Sequence, residues 1–148
     1  MQAMQKMMGD MKMPGFDWEA IMAANRRNME AFAQANQLAA EGAQTIVVSR
    51  RTALLETLAD EIVKAGGLRP YIIGADLYDR ATPERIRDEV IGRFGHIDIL
   101  VNNAGGSRST TVDAPDEVWD ESFAINFTAV RKMTIAFLPA MQARKWGR

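Results

Sequence analysis

The 148-residue sequence contains no cysteine. Disulfides, thiolate zinc sites and cysteine nucleophiles are therefore excluded, which accords with a cytoplasmic protein. Charge of one sign is also lacking. Eighteen basic and nineteen acidic residues leave a formal net charge of −1, which gives no general attraction to nucleic acid or to an anionic membrane. No apolar run approaches the ~18 residues that cross a bilayer, so no transmembrane segment is expected. The N-terminus is rich in methionine but has no continuous apolar core before a small-residue cleavage site, so no signal peptide is expected. The single histidine, His96, stands in a tight turn before an apolar run and reads as a solvated loop residue.

What is present is the composition of a globular protein, 47% apolar and 25% charged, with length enough for one domain and a real core. Eight of the ten methionines fall in the first 29 residues, which sets the first third apart from the remainder. Met1, Met4, Met7, Met8 and Met11 recur at helical intervals until Pro14-Gly15 interrupts them. Asp17 is then a suitable N-cap, and from Trp18 to about Gly42 the residues are helix formers. Trp18, Ile21, Met22, Met29, Phe32, Ala35, Leu38 and Ala39 form an apolar stripe opposite Arg26, Arg27, Glu30 and Gln34. Gly42 is a suitable stop.

Beyond Gly42 the pattern alternates. Strands are expected at Thr45–Ser49, Tyr71–Gly74 and Ile97–Val101, and helices at Thr52–Lys64 and Pro83–Phe94. A mostly helical stretch is expected from Pro115 to about Arg144, in two pieces, with an irregularity near Pro139. Strand and helix alternating over short connections imply an α/β layer with a parallel sheet. The most informative line is Gly95-His96-Ile97-Asp98-Ile99-Leu100-Val101-Asn102-Asn103-Ala104-Gly105. Its apolar run has no solvated alternation, as expected of a strand covered on both faces. It ends in two amides able to tie neighbouring strands together, and in two small residues that let a flat ligand approach the backbone.

This line resembles the Asn-Asn-Ala-Gly motif of the short-chain dehydrogenase/reductase family, and the resemblance extends over roughly 38–148. It implies an α/β fold, an incomplete Rossmann-like doubly wound parallel sheet of three strands, preceded by a long amphipathic helix. By the same resemblance Asn103, Ala104 and Gly105 lie beside the adenosine of a dinucleotide. Val47-Val48-Ser49-Arg50-Arg51 looks like the end of the family's second strand, where basic residues pair with the extra phosphate of NADP(H). Arg50 and Arg51 therefore favour NADP(H); that they merely face water at a helix start is the other reading. Asp76 and Leu77 match the positions that bond and cover the adenine, although an aspartate after a strand is also a turn former. Asp98 matches a strand-supporting position. Asn126 matches the asparagine that kinks a long helix and holds a water of the proton relay; a surface residue or a purely local kink is the other reading.

Several family elements have no counterpart in these residues. The glycine-rich phosphate loop, Thr-Gly-x-x-x-Gly-x-Gly after the first strand, is not found. Neither is the Tyr-x-x-x-Lys pair, since Tyr71 and Tyr78 are followed four residues on by Ala75 and Thr82. The expectation is a truncated NADP(H)-type oxidoreductase domain over 45–148, acting on carbonyls and alcohols by family but inactive as it stands. In the order 3-2-1-4-5 the first strand lies between the second and the fourth, so one strand position is left open between Thr45–Ser49 and Ile97–Val101.

Met13-Pro14-Gly15-Phe16-Asp17-Trp18-Glu19-Ala20-Ile21-Met22-Ala23-Ala24-Asn25-Arg26-Arg27-Asn28-Met29-Glu30-Ala31, continued by Gln34-Ala35-Asn36-Gln37, resembles the start of phasins. The likeness covers residues 1–44. It implies a helix whose apolar stripe lies on a polyhydroxyalkanoate granule surface; an ordinary helix covering a sheet is the other reading. The run 38–44 suits both families and is the expected seam of a fusion. A homo-oligomer or a completing partner is compatible with these features.

Overall fold

The computed structural model describes residues 33, 37–106 and 111–148. The phasin-like segment falls almost wholly outside them. Residues 33 and 37–40 are helical, and the chain turns at Gly42, whose φ of 87° suits glycine. There the Gly42 and Ala43 N–H groups donate to the carbonyls of Ala39 and Leu38, the expected helix stop.

Strand β1 (Ile46–Ser49) pairs in parallel with β2 (Tyr71–Gly74), Ile46 opposite Tyr71 and Ser49 opposite Gly74. Helix α1 (Thr52–Lys64) connects them. Its buried residues Leu55, Leu58, Ala59 and Ile62 recur at three- and four-residue spacing, so one stripe faces the sheet. Helix α2 (Thr82–Phe94) follows β2, with Pro83 in its first turn, where no intrahelical N–H bond is lost. Helix α3 (Asp116–Phe123), a π-helical turn (Ala124–Thr128) and helix α4 (Ala129–Arg144) complete the order.

The sheet has a helical layer on each side. Ile73 and Ala75 pack with Ile86 and Val90 of α2 and Ala136 and Phe137 of α4, and Ile46 and Val48 lean on the same cluster. Val47 points the other way, onto Ala39, Leu58 and Ile62. Period-two alternation thus gives β1 two apolar faces, which is why its residues are continuously hydrophobic. Phe137 is 2% exposed, and burying such a side chain contributes on the order of 2–3 kcal/mol. Tyr71 anchors the far end of α2: its hydroxyl donates to Glu89 (2.9 Å) and its ring meets Phe94 edge-on.

Two expectations are corrected. Ile97–Val101 is not a strand, and among the described residues the sheet has two strands. The Arg148 N–H donates to the Asp98 carbonyl (2.9 Å) and the Leu100 N–H to the Arg148 carbonyl (2.7 Å), a parallel-ladder pattern about Ile99. One partner residue on one edge does not make a ladder, and β1 makes no hydrogen bond to this segment. The helix irregularity lies at Ala124–Thr128 rather than at Pro139, through which α4 continues. Asn126 causes it: its side-chain amide donates to the Ser122 carbonyl (2.9 Å) and so competes with the main-chain i→i−4 bond.

Arg144 fastens the 97–98 backbone to α4. It donates to the Ile97 carbonyl (3.2 Å) and to the Asp98 carboxylate (2.9 Å). The hydrogen bond from Arg144, aided by the charges of Arg144 and His96, holds the Asp98 carboxyl below its ordinary value. A carboxyl whose pKa is depressed on folding stabilises the fold above its unfolded pKa, and that contribution is lost as pH falls through the lower folded value. Acid titration below about pH 4 is therefore expected to lower the melting temperature less in Asp98→Asn than in the parent chain; equal acid sensitivity would remove Asp98 from this role.

Candidate functional site

Because β1 and β2 are parallel and in register, their carboxyl ends open on the same edge, where α/β sheets present ligand-binding residues. Arg50 and Arg51 leave β1 there, and Asp76 and Leu77 leave β2. Arg50 reaches Asp76 at 3.5 Å, and its guanidinium lies 5.4 Å from the centre of the Tyr78 ring. The Arg50 and Asp76 side chains are 63% and 44% exposed, so their long ion pair is worth at most about 1 kcal/mol. Either charge is therefore readily diverted to a ligand.

Asp76 fulfils both of its readings at once. One carboxylate oxygen meets Arg50, and the other accepts the Tyr78 N–H (3.0 Å), closing an Asx-turn. Arg51 starts α1: its N–H donates to the Ser49 hydroxyl (3.1 Å) and its carbonyl accepts from Leu54. Its guanidinium has no ion-pair partner among the described residues. Leu77 leans on the main core cluster, and with Tyr78 and Arg80 it borders a shallow depression whose other wall is Ala124, Thr128 and Lys132. The Lys132 ammonium donates to the Arg80 carbonyl (2.8 Å), which docks the β2–α2 turn against the first turn of α4.

Asn126 sits on that π-helical turn and clamps the loop after Asn103. Its carbonyl oxygen accepts the Gly106 N–H (3.0 Å), and its amide donates to the Gly106 carbonyl (2.6 Å) and to Ser122. A Cβ on Gly105 would lie 2.7 Å from the Asn126 oxygen, so only glycine permits this approach. Asn103 and Ala104 are exposed beside it, and the Asn103 N–H turns back to the Val101 carbonyl (3.1 Å). Asn102 donates to the Thr134 hydroxyl (3.1 Å) of α4 instead of tying strands together, because no neighbouring strand is there to accept.

Arg50, Asp76 and Tyr78 thus form one cluster, and Gly105, Gly106 and Asn126 another. No hydrogen bond joins the two among the described residues. Sequence reasoning missed Tyr78, Ser122 and Gly106. Ser122 was accessible from its spacing, four residues before a mid-helix asparagine, and Tyr78 as an aromatic inside the Asx-turn.

The first cluster offers an exposed guanidinium, a carboxylate and an aromatic face at a strand end, a set that suits a phosphorylated nucleoside. The 148 residues contain no glycine-rich loop to take a pyrophosphate, so the fit is limited to that end of a dinucleotide.

A family model described as short chain dehydrogenase matches residues 31–148. The D-beta-hydroxybutyrate dehydrogenase of Cupriavidus necator is 40% identical over 116 residues, covering 77% of this chain and 44% of that protein. A metagenomic short-chain oxidoreductase solved in complex with NADP superposes with a TM-score of 0.73 at 31% identity, over 78% of this chain and 53% of that one. The L-sorbose reductase of Gluconobacter frateurii, solved with NADPH and L-sorbose, superposes with a TM-score of 0.69 at 29% identity, over 78% of this chain and 43% of that one. The chain spans less than half the length of the curated relatives it matches.

Removing the clamp should free the 103–106 loop without unfolding the core. Asn126→Ala is expected to cost about 1 kcal/mol or more and to speed amide exchange at Gly106. Gly105→Ala should speed it similarly, by pushing the Asn126 side chain away. Unchanged exchange at Gly106 in both variants would show that Asn126 does not hold the loop.

Proposed function

The chain belongs to the short-chain dehydrogenase family, and we propose that its residues form the adenosine-facing half of an NADP(H) site in a carbonyl/alcohol oxidoreductase. The observation that carries this reading is Arg50, an exposed guanidinium at the end of β1 held by a weak pair to Asp76 and by the Tyr78 ring. A ribose phosphate offers it charge-assisted, bidentate bonds stronger than that pair. Asp76, once released, has a free carboxylate oxygen for the adenine amino group, while its Asx-turn keeps it in place. Arg51 adds a second positive charge, and Leu77 gives an apolar surface for the base. Asn103, Ala104 and Gly105 give low relief along the adenosine, kept in position by Asn126. The cofactor when bound supplies a hydride donor or acceptor.

In this reading the 148 residues do not catalyse reduction by themselves. A carbonyl that takes up hydride needs a proton donor near its oxygen and an oriented nicotinamide, and the Tyr-x-x-x-Lys pair that would serve is not among them. Asn126 also has a positioning role, since both ends of its side-chain amide are engaged by Gly106 and Ser122. Calorimetric titration tests the reading. NADPH should bind more tightly than NADH, and Arg50→Ala should reduce that preference by about tenfold or more, the worth of a hydrogen bond to a charged group. NADPH oxidation with carbonyl substrates should be undetectable at high protein concentration. Equal affinity for the two cofactors would remove the phosphate-recognising role of Arg50, and no binding at all would leave these residues as scaffold.

A second reading concerns the first 44 residues. Their apolar stripe from Trp18 to Ala39 favours attachment to a polyhydroxyalkanoate surface, in the manner of phasins. Such a polymer is a polyester of hydroxy acids, and the relative from Cupriavidus necator is named for one such acid, which supports a hydroxy acid as the substrate class. The chain should co-sediment with polyhydroxyalkanoate granules and lose that behaviour when residues 1–44 are deleted. A chain that stays in the supernatant would sink this reading.

A further inference from the structure

We propose that Tyr78 is a positioning residue whose ring holds the Arg50 guanidinium ready for a ribose phosphate. On the NADP(H) reading of the site, on which this rests, the ring supplies part of the preference for NADP(H) over NAD(H). The Arg50 guanidinium lies over the Tyr78 ring, 5.4 Å from its centre, and 3.5 Å from the Asp76 carboxylate. The two contacts make different demands on the cation. Asp76 accepts from one of the Arg50 Nη groups, and so takes up an N–H donor. An aromatic ring attracts the positive charge through its negative face, and has no oxygen lone pair to compete for the donors.

That difference decides what happens when an anion arrives. A phosphate competes with Asp76, because both oxygens seek the same N–H groups. It does not compete with Tyr78 in this way. Arg50 thus keeps one anchor while it exchanges the other. The Arg50 side chain is 63% exposed, and without an anchor its ordering would be paid in full at the moment of binding. Contact with the ring beforehand removes part of that rotamer freedom.

Tyr78 can serve as an anchor because its own backbone is held on both sides. Its N–H donates to Asp76 Oδ1 (3.0 Å) in the Asx-turn. The next residue, Asp79, donates its N–H to the Asp76 carbonyl (3.2 Å) and accepts the Ala81 N–H on its carboxylate (3.0 Å). Two residues on, the Arg80 carbonyl is tied to Lys132 of α4. Asp76 therefore places Tyr78 through one oxygen and meets Arg50 with the other, so that the three residues close a triangle. Releasing Arg50 from Asp76 opens one side of it; the Asx-turn and the ring contact remain. The ring is the working part, since among the described residues the Tyr78 hydroxyl makes no hydrogen bond. At 41% exposure Tyr78 is not a core residue, so its ring can be removed without emptying the core.

Calorimetric titration of the full chain with NADPH and NADH tests this in the parent and its variants. Tyr78→Leu should weaken NADPH binding by about threefold, the worth of an exposed cation–π contact, and leave NADH unchanged. Tyr78→Phe keeps the ring and should bind both cofactors as the parent does. Added to Arg50→Ala, Tyr78→Leu should weaken NADPH no further, because the ring acts through Arg50. The proposal is overturned if Tyr78→Leu binds NADPH like the parent, or if Tyr78→Phe fares as badly as Tyr78→Leu. Equal weakening of NADPH and NADH also overturns it, since that puts the ring against a part the two cofactors share. An NADPH preference lost in Arg50→Ala but intact in Tyr78→Leu would sink this inference alone. A parent chain with no preference to lose overturns it together with the phosphate-recognising role of Arg50.

Discussion

Ile86, Val90 and Phe137 are almost fully buried, and they hold the sheet in place from beneath. Two parallel four-residue strands have too few ladder bonds to be stable alone, and a lone pair of strands is marginal even when antiparallel. Apolar contact with α2 and α4 therefore fixes where β1 and β2 lie. Tyr71, bonded to Glu89 and packed on Phe94, locks the same helix at the opposite end of β2. The positions of Arg50 and Asp76 follow from this floor, since each is the first or second residue after a strand that rests on it.

The site residues are held by bonds of unequal strength, and the inequality has functional meaning. Asn126 grips Gly106 through two hydrogen bonds, so the loop after Asn103 is fixed before any ligand arrives. Arg50 and Asp76 meet at the edge of ion-pair distance in water, so their charges are only loosely committed. A fixed apolar contour beside a loosely held charge pair suits recognition of a flat base bearing a phosphate. The π-helical turn carrying Asn126 is the kind of local irregularity often found at functional sites.

Much of this was legible from local patterns. Gly42 ended its helix as read, because a positive φ is a property of the residue itself. The stripe Leu55, Leu58, Ala59 and Ile62 gave α1 its limits, and the apolar run Ile46-Val47-Val48 gave a strand buried on two faces. Other features depended on neighbours. Ile97–Val101 has the composition of a strand, yet a strand exists only where a second backbone answers it, and one residue, Arg148, does so. An irregularity was expected near Pro139, but α4 runs through it; the irregular turn lies around Asn126, which by resemblance was expected to kink a helix and whose amide competes for the Ser122 carbonyl.

The sequence by itself determined the family, the parallel α/β plan and the residue types at the strand ends, because these rest on periodicity, spacing and side-chain chemistry. Tertiary structure decided what each of those residues does. It paired Arg50 with Asp76 and Tyr78, turned Asn102 towards Thr134, and made Asn126 a clamp on Gly106. Among the described residues it also left the backbone groups of Ile46, Val48 and Ile99 without a partner. The physical reason is that hydrogen bonds and ion pairs are relations between groups distant in the chain, and their partners are set only when the helices have packed against the sheet.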